Sequence, residues 1–187
     1  MNFSIDIDDQ KALLKYARNV IQAALRHEPA PEPPELSTTL RCGAFVTLRE
    51  NASLRGCIGR MQSNDPLPRT IAEMALAAAF EDPRFPSVAA DELPRLEIEI
   101  TLLSPLKPIL PDQVVVGKHG LLISALGRSG VLLPQVPTEY GWDRETFLEQ
   151  LCRKAGLAAG TWKSSLAQLY GFEGFVFSES SLSPPEE

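Results

Sequence analysis

The chain has 187 residues, 44% of them hydrophobic and 22% charged, which fits one globular domain, or one domain of two lobes, and excludes a disordered or fibrous protein. Its formal net charge is -6 and its 18 Lys and Arg residues are thinly spread, so it lacks the basic stripe that follows a nucleic-acid backbone. The acidic start Ile5-Asp6-Ile7-Asp8-Asp9 does not suit a signal peptide and no stretch stays apolar for the ~20 residues of a membrane helix, so a cytoplasmic protein is expected.

In chain order, Leu13, Leu14, Ala17, Val20, Ile21, Ala24 and Leu25 recur at helical spacing behind Asp8 and Asp9 as capping residues, predicting a first helix that ends near His27. The proline-rich stretch 29–34 then enforces an extended connector. Residues 40–48 and 54–58, separated by Glu50-Asn51-Ala52-Ser53, predict a β-hairpin with Gly56 and Gly59 in or beside its second strand. Pro68 suits the first turn of a second helix with Ile71, Met74, Ala75, Ala78 and Ala79 on one face, broken by Asp82-Pro83-Arg84-Phe85-Pro86. Leu96, Ile98, Ile100 and Leu102 alternate with Glu97, Glu99 and Thr101, the period of a strand buried on one face.

A second hairpin is predicted from residues 120–124 and 131–133, with a turn over 125–130 that is longer than the tightest kind. Asp143 caps a third helix carrying Phe147, Leu148, Leu151, Cys152 and Ala155 and stopped by Gly156, and residues 166–177 form a closing strand. Hairpins, one alternating strand and about three helices, without regular β-α-β alternation, indicate an α+β domain over 5–178 with a largely antiparallel sheet, followed by a loose tail over 179–187.

Cys42, Cys57 and Cys152 are odd in number and widely spaced, so reduced thiols are expected rather than a disulfide framework. With His27 and His119 as the two imidazoles, no histidine-rich metal site can be built, and no cofactor motif is present. Purification without stoichiometric metal or flavin is therefore expected.

Several ordered blocks carry a family resemblance. They are Leu54-Arg55-Gly56-Cys57-Ile58-Gly59 behind Gly43-Ala44-Phe45-Val46-Thr47-Leu48, then Ala78-Ala79-Phe80-Glu81-Asp82-Pro83-Arg84-Phe85, then Leu96-Glu97-Ile98-Glu99-Ile100 with Leu103-Ser104-Pro105. Leu132-Leu133-Pro134-Gln135-Val136, Glu139-Tyr140-Gly141-Trp142-Asp143, Cys152-Arg153-Lys154-Ala155-Gly156-Leu157 and Trp162 follow. Together these resemble the AMMECR-one family. The resemblance implies a two-lobed α+β fold with the hexapeptide near the lobe junction. It also implies a role as component A of the AmmeMemoRadiSam set, beside a Memo-like protein and a radical-SAM protein, and it carries no catalytic residue with it.

The residues themselves nominate Cys57, flanked by Arg55 and two glycines. A guanidinium beside a thiol favours thiolate, and Gly56 and Gly59 would let a ligand approach the backbone. His119, at the entrance to a strand, is the candidate acid or base. The alternatives are a buried structural Cys57 with Arg55 paired to a carboxylate, and a hydrogen-bonded turn histidine. Asp82 and Arg84 bracket Pro83 as an ion pair or a cleft lining. Glu97 and Glu99 read as a solvated strand face or an acid–base pair, and Tyr140 and Trp142 as a cap over a ligand or partner. A shared cavity of Arg55, Cys57 and the loop 134–142 is expected, with the His119 ring within roughly 6 Å of the Cys57 sulfur if it serves as base. Two functions remain open: an accessory component that binds an unidentified small molecule or a partner, and an enzyme using Cys57, Arg55 and His119.

Overall fold

The computed structural model describes residues 3–182. The chain divides into one unit made of residues up to Leu103 together with those from Phe175 onward, and a second made of Ser104–Gly174.

In the first unit, helix α1 (Ile7–Leu25) buries Leu13, Leu14, Ala17, Val20 and Ile21. Its cap is Asp6, not Asp8 or Asp9: the Asp6 carboxylate accepts from the Asp9 N–H at 2.8 Å. Asp9 has another task. Buried to 4% exposure, its carboxylate accepts from the N–H of Ser37 and of Thr38, each at 2.9 Å, and so ties the far end of the proline-rich connector to the helix. Strands β1 (Gly43–Glu50) and β2 (Ser53–Arg60) form the expected hairpin, and β1 also pairs antiparallel with β3 (Leu96–Leu103), giving the order β2-β1-β3.

Alternation then fixes two faces. Ala44, Val46, Leu48, Ile98, Ile100 and Leu102 form a core with α1 and with helix α2 (Leu67–Phe80). Phe45, Thr47, Arg49, Glu97, Glu99 and Thr101 lie on the opposite face. Glu97 and Glu99 are both half-buried there. Arg49 lies 3.7 Å from Glu99, and Glu97 accepts from Ser180, so each carboxylate has a partner.

The first four residues of the expected loose tail are ordered as helix α5 (Glu179–Leu182), because Arg18 of α1 grips the Glu179 carboxylate through two nitrogens at 2.6 and 2.7 Å. Residues 183–187 lie outside the described residues.

In the second unit, β5 (His119–Ala125) pairs with β6 (Arg128–Leu132) and with β7 (Gln168–Ser178), which also pairs with the two-residue β4 (Lys107–Pro108). Strand β7 continues from this unit into the first. The β5–β6 turn is tighter than the sequence suggested: Ala125 pairs with Arg128, leaving only Leu126 and Gly127 in the turn. Leu126 accepts a positive φ of 52°, which its propensity does not announce. A short helix α3 (Val136–Glu139) precedes α4 (Arg144–Lys154). Asp143 caps α4 through the Thr146 N–H at 2.8 Å, and the helix buries Phe147, Leu148, Leu151 and Cys152. All strand pairs described are antiparallel, and three of the helices are longer than one turn, so the fold is α+β as expected. No helix among the described residues is long and apolar enough to cross a membrane.

Candidate functional site

The signature hexapeptide lies on β2, at the edge of the β2-β1-β3 sheet, where the outward backbone groups need partners other than a strand. At Cys57 the turn after α2 supplies them. The buried Asp82 carboxylate accepts from the Cys57 N–H at 2.9 Å, and the Arg84 Nη2 donates to the Cys57 carbonyl at 3.3 Å. Asp82 also accepts from the Arg84 N–H at 3.0 Å, from its Nε at 3.0 Å and from its Nη2 at 2.8 Å. Pro83 stiffens the turn between them, so Asp82 and Arg84 replace a missing strand at one residue.

The Arg84 guanidinium beside it is the main cause that holds the Asp82 carboxyl well below the usual carboxylate range, and the Cys57 and Arg84 backbone donors act in the same direction against the opposing effect of burial. Arg84 is raised in turn, first by its hydrogen bonds to Asp82, against the opposing effect of burial.

The Cys57 N–H is occupied by Asp82, so Cys57 and its partner Thr47 form a pair without mutual backbone bonds, the kind that brings side chains close. The Thr47 hydroxyl donates to the Cys57 sulfur at 3.2 Å. Glu99 occupies the same row one strand further on. Cys57 itself is half-buried, whereas Cys42 and Cys152 are fully buried. Burial pushes the Cys42 thiol up to about 11 and raises that of Cys152 as well.

Arg55 does not follow simple alternation. The β1–β2 register shifts between Leu48 and Arg49, with Gly56 opposite Leu48 and Leu54 opposite Arg49, so Arg55 is the extra residue of a β-bulge. Its Nε and Nη2 donate to Glu92 at 2.9 and 3.2 Å, which together with the Ala89 N–H lowers the Glu92 carboxyl. The remaining nitrogen, Nη1, is buried with no hydrogen-bond partner among the described residues. The Phe85 ring lies against both cations, 6.0 Å from the Arg55 Cζ and 5.5 Å from the Arg84 Cζ.

The two glycines of the hexapeptide make room for the protein itself. A Cβ at Gly56 would stand 2.2 Å from the Ala78 carbonyl oxygen of α2, and one at Gly59 would stand 2.2 Å from the Phe45 ring. The space above both is therefore filled by a helix backbone and a neighbouring side chain.

His119, Tyr140 and Trp142 belong to the second unit. The His119 Nδ1 accepts from the Val115 N–H at 3.0 Å, so its proton sits on Nε2 and the ring serves a turn. Burial, aided by Lys118, holds its pKa below the ordinary value. Tyr140 and Trp142 stack on each other with centroids 4.9 Å apart; Tyr140 is exposed while Trp142 packs on the core that surrounds α4.

The first unit thus gathers Arg55, Gly56, Cys57, Gly59, Asp82 and Arg84, and adds Thr47, Phe85 and Glu92, which sequence reasoning did not assign. Thr47 was legible as the cross-strand partner of Cys57 once a register was known. Glu92, 37 positions from Arg55, had no local signal. Among the described residues, no group of three or more His, Cys, Asp or Glu is arranged to hold a metal ion.

Comparison with known proteins assigns the chain. The AMMECR1 family model matches residues 14–177. A protein of Methanosarcina barkeri is 41% identical over 181 residues, covering 90% of this chain and 89% of the relative. One of Nanoarchaeum equitans is 38% identical over 177 residues, covering 89% and 98%. The crystal structure of an uncharacterized protein from Pyrococcus horikoshii superposes with a TM-score of 0.83 at 35% identity, covering 95% of this chain and 94% of that one. With the family model spanning both structural units, the chain belongs to the AMMECR1 family.

Proposed function

We propose that the protein is an accessory, ligand-binding component that acts in the cytoplasm with a Memo-like and a radical-SAM protein, and that the β2 edge around Cys57 is its binding site. One observation carries the ligand-binding part. The polar side chains around Cys57 act as a rigid frame, with Asp82 and Arg84 on its backbone and Arg55 on Glu92, while the sulfur itself, among the described residues, accepts from a threonine hydroxyl and has no hydrogen bond to an imidazole or carboxylate. A nucleophile is activated by an adjacent base, whereas a binding site needs fixed geometry and leaves its charged groups in place.

The association rests on the family membership and is tested by size-exclusion chromatography of the full chain with each purified partner. Co-elution with the Memo-like protein, retained in Cys57→Ser, is the expected result. Separate elution of all three proteins would reject the partnership.

A second reading, Cys57 as the nucleophile of a small-molecule enzyme, is favoured by the Thr47 donor at the sulfur and by the Arg84 charge nearby. It predicts a thiol of unusually high reactivity.

A further inference from the structure

Buried guanidinium N–H groups find acceptors, because a donor removed from water with nothing to bond costs the full loss of hydration. Arg55 breaks this pattern on one side only. Its Nε and Nη2 are held by Glu92, its side chain is only 12% exposed, and Nη1 is enclosed with no partner. Beside it stands the half-buried Phe85 ring, between the exposed residues Arg84 and Pro86, and against the same ring lies Arg84, whose Nε and Nη2 are engaged by Asp82.

We propose that Arg55 Nη1 and the Phe85 ring form the binding site for a small organic monocarboxylate, with Arg84 at its rim. This deepens the ligand-binding part of the function proposed above and rests on it. The carboxylate accepts from Nη1 in a charge-assisted hydrogen bond, the strong kind for which a guanidinium is built. The ligand's apolar part packs against the ring. Charge selects a monoanion. The two arginines are matched by Asp82 and Glu92, so the cluster is formally neutral, and a monoanion adds half the uncompensated charge that a dianion such as hydrogen phosphate would. Depth selects a slim planar group, because the unpaired donor of Arg55 lies below the surface.

The test is calorimetric titration of the full chain with benzoate, alongside Arg55→Lys and Phe85→Leu. Lysine keeps a cation for Glu92 but has no Nη1, while Phe85→Leu leaves the ion pair untouched and removes the ring. Circular dichroism confirms that each variant is folded. The expected result is saturable one-to-one binding, weakened at least about tenfold in Arg55→Lys, the size of one lost charge-assisted bond, and about threefold in Phe85→Leu. Absence of saturable binding to the wild type, equal binding by Arg55→Lys, or binding of inorganic phosphate as tight as that of benzoate would each overturn the proposal. Co-elution with the Memo-like protein is measured separately, so failure of the partnership leaves this result standing, and failure here leaves the partnership standing.

Discussion

Asp82 governs the local architecture of the site at the scale of single residues, because one buried carboxylate accepts from the Cys57 backbone and from three Arg84 donors. Removing its charge in Asp82→Asn weakens all four contacts, at a cost of about 1–3 kcal/mol at neutral pH. The pH dependence follows from the direction of the shift. Asp82 binds its proton less tightly folded than unfolded, so its contribution is complete above the ordinary aspartate value, roughly 3.9, and declines as pH falls below it. Urea unfolding of wild type and Asp82→Asn at pH 7 and pH 3 should show the stability gap narrowing in acid; a constant gap would refute the assigned role. Gly56 makes a sharper demand. Valine there drives a side chain into the Ala78 carbonyl, whereas Cys57→Ser nearly preserves volume and keeps a partner for Thr47. Gly56→Val should therefore lower the melting temperature far more than Cys57→Ser, and equal melting temperatures would contradict this account.

The elements that were legible in the sequence are those with a strong period: the α1 stripe, the Leu96–Leu102 alternation, and α4 between Asp143 and Gly156. What escaped had a local exception that period does not encode. The bulge at Arg55 breaks the alternation that would have placed its side chain beside that of Cys57, and the turn at Leu126 uses a backbone conformation that leucine rarely adopts. The strand β4 is two residues long and contains Pro108, so it carries no pattern to read. Within the site, Cys57, Arg55, Asp82 and Arg84 were nominated from motif and charge, but their pairing is a product of long-range packing that spacing does not reveal. The β1–β2 turn makes a testable case of its own. Ala52 sits at φ 64°, where an L side chain is strained and glycine is not, and it is exposed, so nothing is lost by removing its methyl group. Ala52→Gly should stabilise the protein by about 1 kcal/mol in chemical denaturation, and a destabilisation would show that the strain is offset elsewhere.

Across the whole molecule, the family match runs from Leu14 within α1 to Phe177 within β7, and the structural likeness covers 95% of the chain. The proline-rich connector is part of that design rather than an appendage, because Asp9 holds its far end at Ser37 and Thr38. Asp9→Ala should release it and expose residues 29–38 to limited proteolysis, where unchanged cleavage would contradict the anchoring role. At this scale the role proposed for the Cys57 edge is that of a fixed binding frame and not of a nucleophile awaiting a base. Alkylation with iodoacetamide at neutral pH tests it directly. Cys42 and Cys152 are buried with raised thiol pKa values, so their labelling lags and the early signal reports Cys57. The account predicts that Cys57 reacts no faster than a free small-molecule thiol and is insensitive to ionic strength. A Cys57 rate about tenfold or more above that of the free thiol, falling as salt is added, would contradict it and establish the thiol as chemically activated.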